Sequence, residues 1–194
     1  MKVKKCCAWV NPENELLQRY HDEEWGSPTH DDTTLFEMLI LEGAQAGLSW
    51  NTILNKRENY RKAFASFDPA KVALFDENTV RELLQNEGIV RNRLKIRSAI
   101  QNAKVFLDIQ KEYGSFDAFI WHYVGGKPLD KKFRTIGEIP TRDELSDTIS
   151  KDLKKRGMSF VGTTIIYAYI QAIGLLNAHT VDCFRYTELK QNRI

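Results

Sequence analysis

The stretch Asp31-Asp-Thr-Thr-Leu-Phe-Glu-Met-Leu-Ile-Leu-Glu-Gly-Ala-Gln-Ala-Gly47 decides the class of the fold. An aspartate, Asp31 or Asp32, stands where a side chain can cap the free N–H groups of a starting helix, and Gly47 stands where a helix stops. Between them Leu35, Met38, Leu39, Glu42 and Ala46 recur at the three- and four-residue steps of one helical face, with Glu37 on another. The same period and the same punctuation repeat in both directions. They predict helices over Glu13 to Glu24, closed by Gly26-Ser-Pro28, over Arg57 to Phe67, over Pro69 to Phe75 after Asp68, over Asp76 to Asn86 with Asp76 as cap, and over Arg91 to Tyr113. Three more follow at Ser115 to Val124, Arg142 to Arg156 and Thr163 to Leu176. Clean strand alternation is hard to find, so the expected fold is all-α. Gly125 to Thr141, with its glycines and prolines, reads as a surface connection, and Lys190 to Ile194 as a frayed end.

Length and composition bound the problem without deciding it. A chain of 194 residues fits one domain, residues 1–194, or one domain made of two lobes. Its 42% hydrophobic and 28% charged residues are those of a soluble globular protein. A formal charge of +2 permits a nucleic-acid partner without demanding one. Adjacent Cys6 and Cys7 begin a disulfide framework poorly, and the N-terminal Met1-Lys-Val-Lys-Lys5 lacks the apolar run of a signal peptide. A reduced, cytoplasmic protein without membrane spans is expected.

Among three cysteines and four histidines, four residues stand out: Cys7 and His21 near one end, His179 and Cys183 near the other. A Cys₂His₂ set is a tetrahedral zinc signature, and His179 and Cys183, one helical turn apart, can face one ion. Each of these residues taken alone is more often an ordinary core residue. If all four bind, no coordination position is left for water and the metal is structural.

Glu42 is the carboxylate to examine, because it lies on the apolar stripe, where desolvation is costly unless a partner completes it. Either a backbone N–H, a Lys or an Arg satisfies it, or it lines a cavity whose ligand does. Trp9, Tyr20, Trp25 and Trp50 crowd the first fifty residues, and three of the four tryptophans lie there. Such aromatics are usually core, yet rings around one carboxylate are also what a flipped purine needs. In Asn86-Glu-Gly-Ile-Val-Arg-Asn-Arg-Leu-Lys-Ile96 a glycine turn at Gly88 joins two helices, followed by Arg91, Arg93, Lys95 and Arg97. Backbone N–H groups at a helix start and basic side chains suit phosphates, although such a run is commonly just a solvated face. Lys151 to Arg156, with Gly157 and Gly162-Thr163-Thr164 at another helix start, form a second candidate cradle.

These segments together resemble the DNA-3-methyladenine glycosylase I (Tag) family of the helix-hairpin-helix glycosylase superfamily. The strings that carry the resemblance are Cys7-Ala-Trp9, Tyr20-His-Asp-Glu-Glu-Trp-Gly26, Leu35-Phe-Glu-Met38, Leu41-Glu-Gly-Ala-Gln-Ala-Gly-Leu-Ser-Trp50, Lys56-Arg-Glu-Asn-Tyr60, Gly88-Ile-Val-Arg91, Leu153-Lys-Lys-Arg-Gly157, Phe160-Val-Gly-Thr-Thr164 and His179-x₃-Cys183. They run in family order along the chain. The resemblance implies a two-lobed helical fold whose ends are joined by a structural zinc on Cys7, His21, His179 and Cys183. It also implies a helix-hairpin-helix around residues 76–112, a pocket carboxylate at Glu42, and stacking aromatics at Tyr20 and Trp50 with Trp9 and Trp25 beside them. The implied substrate is 3-methyladenine in double-stranded DNA containing alkylated purines, released as the free base by a monofunctional enzyme. DNA-backbone contacts would fall on Gly88, Arg91, Arg93, Gly162, Thr163 and Thr164, and a monomer is expected. The other readings are a zinc-stapled DNA-binding module without catalysis, against which the set Tyr20, Glu42 and Trp50 speaks, and a zinc hydrolase, against which four protein ligands speak.

Overall fold

The computed structural model describes residues 4–191, and helices dominate it. In chain order they are α1 (Glu15–Arg19), α2 (Asp32–Gln45), α3 (Trp50–Ala63), α4 (Pro69–Val72), α5 (Glu77–Gln85), α6 (Arg93–Tyr113), α7 (Phe116–His122), α8 (Glu144–Lys155), α9 (Thr163–Ala172) and α10 (Phe184–Gln191). The caps explain most of the starts. Asn14, Asp31, Ser49, Asp68, Asp76, Asn92, Ser115 and Asp143 each accept a backbone N–H from the first turn that follows. Asp31 is thus the cap of α2. Asp32 turns instead to α7, accepting the N–H groups of Phe116 and Asp117 at 2.8 Å each and the Gln110 amide at 2.6 Å.

The stretch from Asp31 to Gly47 contains the central helix of the molecule. Helix α2 packs on α3, α6, α7 and α9, and every residue from Leu35 to Ala44 is buried. It is covered on all sides and not along one stripe, as a helix apolar around most of its circumference must be. Glu37, expected away from the apolar stripe, is buried too, and Arg57 and Arg61 satisfy it with hydrogen bonds of 2.8 Å to its Oε1.

Several elements depart from the pattern expected. The segment Glu13 to Glu24 is α1 followed by a π-helical turn over Tyr20–Glu24, so its last residues are wound more loosely. Helix α3 begins at Trp50, seven residues before the expected Arg57, because Ser49 caps it. It stops at Ala63, where Ala65, Ser66 and Phe67 take left-handed backbone angles that turn Phe64 and Phe67 into the core. Helix α9 ends at Ala172 and not at Leu176. At Gly174 (φ +76°) a Cβ would stand 2.4 Å from the Ser27 carbonyl carbon, so the chain turns where only glycine fits. Leu176 and Asn177 then pair in parallel with Leu129 and Asp130, a two-residue ladder inside the expected surface connection. Helix α10 was not foreseen. The frayed end expected from Lys190 starts within that helix, and residues 192–194 lie outside the described residues. Among the described residues no helix is long and apolar enough to cross a membrane.

Candidate active site

Glu42 sits on α2 with 4% of its surface exposed, and its Oε2 has no hydrogen-bond partner among the described residues. The alternative of a carboxylate satisfied by a backbone N–H or a basic side chain is therefore not what surrounds this oxygen. Burial alone pushes the Glu42 carboxyl up from 4.5 to about 8. It lies at a cavity of about 170 Å³ whose other walls are Trp9, Tyr20, Trp25, Trp50, Gln45, Ala168 and Gln171. All five sequence-predicted pocket residues meet there. Gln45, Ala168 and Gln171 were missed: Gln45 follows Glu42 by one turn of α2, a spacing that could have marked it, whereas Ala168 and Gln171 reach the cavity only because α9 crosses α2.

Local structure sets each wall. The Ser49 cap fixes the start of α3 and with it Trp50, whose ring stands 5.3 Å from that of Tyr20 at an angle of 47°. The Trp50 indole N–H is buried and also lacks a partner among the described residues. Trp9 and Trp25 meet edge to face at 5.0 Å and form a second aromatic pair. A slot with aromatic faces, one unpaired acceptor and one unpaired donor can hold a planar heterocycle that both stacks and hydrogen-bonds.

Behind this slot the four metal-type residues converge. The ligand atoms of Cys7, His21, His179 and Cys183 all lie within 4.8 Å of one another, and the four residues are buried. The Cys7 and Cys183 sulfurs are each 3.5 Å from His179 Nδ1, and Cys183 Sγ is 3.4 Å from His21 Nε2. Ligand bonds of about 2.3 Å from sulfur and about 2.0–2.1 Å from nitrogen, spread at a tetrahedral angle, would separate the two atoms by about 3.5 Å. The remaining ring nitrogens are held as metal-bound imidazoles require: His21 Nδ1 is 2.6 Å from Asp22 Oδ1, and His179 Nε2 is 3.0 Å from the Trp25 carbonyl. The group is thus a buried Cys₂His₂ site able to bind a metal ion. Cys7, not its neighbour Cys6, belongs to the four-membered set; Cys6 groups only with His21 and Asp22.

The helix pair expected near residue 88 is present as α5, a turn and α6. Gly88 is required there because a Cβ would stand 2.8 Å from Asn59 Cβ. The N–H groups of Gly88, Ile89, Val90 and Asn92 are engaged within the protein, by Asn86, the Tyr60 hydroxyl and Val90. Arg91 and Arg93 lie on the exposed side in loose pairs with Glu87 (3.5 Å) and Glu77 (3.8 Å). Lys95 is different: its ammonium donates to the carbonyls of Ala44 and Ala46 at 2.8 and 2.6 Å and closes the end of α2. Helix α9 starts at Gly162 without a side-chain cap. The Thr163 hydroxyl is taken up by Asp147 and Ser146, while Thr164 is exposed.

Fold and site together define a class, a helical protein built around an aromatic, single-carboxylate pocket for one planar base, backed by a buried Cys₂His₂ group. The chain belongs to the methyladenine glycosylase family, whose model matches residues 9–186. It is 49% identical to the DNA-3-methyladenine glycosylase 1 of Escherichia coli (strain K12) over 93% of this chain and 96% of that protein. A crystal structure of a 3-methyladenine DNA glycosylase I superposes with a TM-score of 0.90 at 48% identity, covering 93% of this chain and 98% of that one. The Staphylococcus aureus enzyme solved to explain 3-methyladenine recognition gives a TM-score of 0.89 at 39% identity, over 92% and 94% of the two chains.

Proposed function

We propose that this protein is a base-excision repair glycosylase that hydrolyses the N-glycosidic bond of 3-methyladenine in alkylated double-stranded DNA, freeing the base and leaving an abasic site. The observation that carries the reading is the orphaned Glu42 Oε2 at an aromatic slot. A carboxylate desolvated without a partner is costly, and a cationic purine supplies what it lacks.

The flipped base stacks on the tilted pair of rings of Tyr20 and Trp50, with Trp9 and Trp25 closing the slot, and the rings attract its positive charge. Glu42 accepts hydrogen bonds from the purine edge, and its charge counters the cation. Because the methylated purine already carries the positive charge, the C1′–N bond can break without an acid: the bonding pair goes to the base and neutralises it. Water bonds to C1′ and loses a proton to solvent. No lysine lines the slot, which supports a hydrolysis that proceeds without a Schiff base and without strand cleavage.

Cys7, His21, His179 and Cys183 would hold one zinc ion, and the donor set and spacing described above fit it. With four protein ligands it would join the two ends of the chain and take no part in hydrolysis. On the hairpin the phosphates meet the exposed Arg91 and Arg93, while the Gly88 N–H is already held by Asn86; at α9 they meet Gly162 and Thr164, while the Thr163 hydroxyl is held by Asp147 and Ser146. The whole chain acts as one domain, as a monomer in the cytoplasm. Methylated DNA incubated with the purified protein should yield free 3-methyladenine and abasic sites, with strands intact until alkali is added. Recovery of unaltered DNA overturns the assignment.

A further inference from the structure

Glu42 borders two cavities. Besides the aromatic slot, a space of about 220 Å³ opens where the C-terminal end of α2 meets the first turns of α9. Glu42, Gln45 and Ala168 line both spaces and form the wall between them. Ala46, Gly47, Leu48, Thr164 and Ile165 line only the second.

The chemistry changes across that wall. On one side stand four aromatic rings; on the other, beyond the shared Glu42, Gln45 and Ala168, there is no ring, only the aliphatic side chains of Ala46, Leu48 and Ile165, the Thr164 hydroxyl and bare backbone at Gly47. Flat π faces suit a heterocycle, and the second lining suits a puckered, aliphatic, oxygen-bearing ring. A nucleoside is those two bodies joined by one bond. Glu42, nine-tenths buried and with an unpartnered oxygen, stands at the junction.

Resting on the glycosylase reading, we infer that the second cavity is the subsite for the deoxyribose of the flipped nucleotide, so that the scissile bond crosses the wall made by Glu42, Gln45 and Ala168. The carboxylate then lies beside the anomeric carbon as well as the base, where positive charge develops as the bond breaks. Free base needs only the aromatic slot, while substrate needs both spaces.

Filling the second cavity should therefore separate product binding from catalysis. Ile165 on α9 and Ala46 at the end of α2 are half-buried and line the second cavity, so Ile165→Phe and Ala46→Phe each add bulk there without altering a residue of the aromatic slot or of the phosphate contacts. Both variants should bind free 3-methyladenine, followed by tryptophan fluorescence, within about twofold of wild type, and lose at least about tenfold in kcat/KM on methylated DNA. Thermal melting of each variant confirms that it is folded. Undiminished release from DNA overturns the subsite, as does a parallel loss of free-base affinity, which would assign the filled space to the base pocket. A wild-type protein that releases no base overturns the glycosylase reading itself and the subsite with it, a result seen before any variant is compared.

Discussion

One side chain, Glu42, ties the proposed recognition to a cost in stability. Its carboxyl is pushed up to about 8 by desolvation, so below that pH the free protein holds it largely protonated. A cationic base is best met by the ionised form. In the rate profile, kcat/KM on methylated DNA should rise with pH and level off above about 8, since this parameter reports groups of the free enzyme. Glu42→Gln should flatten the profile and lower the rate on the order of a hundredfold, the usual effect of removing one group that answers developing charge. The same substitution should stabilise the fold. A carboxyl with its folded value raised above 4.5 contributes stability below that value, and this is lost as pH climbs through about 8. Urea unfolding should find Glu42→Gln and wild type alike near pH 4. The variant should be the more stable at pH 8 by a few kcal/mol, at about 1.4 kcal/mol per tenfold change in proton affinity. Equal stability at both pH values would mean that the carboxylate is already satisfied.

At the scale of elements, the hairpin between α5 and α6 separates its basic residues by task. Arg91 and Arg93 hold exposed, weakly paired guanidinium groups that can exchange Glu87 and Glu77 for phosphates. Lys95 is committed to the carbonyls of Ala44 and Ala46. Arg93→Gln should therefore reduce the salt dependence of DNA binding by about 0.9 in the log–log slope. Lys95→Met should leave that slope alone and cost about 1–2 kcal/mol of stability by stranding the two carbonyls. Binding isotherms at several salt concentrations distinguish the two, and a smaller slope for Lys95→Met would return that residue to the phosphate face. Sequence could not sort them, because Lys95 looks like its neighbours until α6 is laid against the end of α2. The same limit recurs elsewhere. The Asp76 cap was legible because it acts within four residues, and the cap of α2 was narrowed to Asp31 or Asp32 for the same reason. The stop of α9 depends on Gly174 passing against Ser27, and the Leu129–Leu176 pairing on two segments far apart. Glu42 and its four aromatics were legible as residue types in a dense stretch. Ala168 and Gln171 are ordinary residues that reach the cavity only through a helix crossing, whereas Gln45 was within reach of the helical spacing from Glu42.

Across the whole molecule the Cys₂His₂ group joins segments that local structure cannot hold together, since Cys7 and His179 are 172 positions apart. It also touches the pocket at two points. His21 follows Tyr20 in the π-helical turn, and His179 is held by the carbonyl of Trp25. Removing the metal should therefore loosen one ring of each aromatic pair as well as the chain ends. Elemental analysis should find about one zinc per chain in wild type and none in Cys183→Ser, which leaves three ligands. Loss of a structural site should cost at least about 3 kcal/mol, and in a chain of this size each kcal/mol shifts Tm by roughly 2–4 °C. The affinity for free 3-methyladenine should fall together with Tm, because Tyr20 and Trp25 are anchored through His21 and His179. Excess chelator added to wild type should reproduce both effects, and zinc restored to the stripped protein should reverse them. If the stripped protein melts as late as the loaded one, the four residues are a packed polar cluster without a staple's function. If stability falls while base affinity stays, the group secures the chain ends but does not shape the pocket.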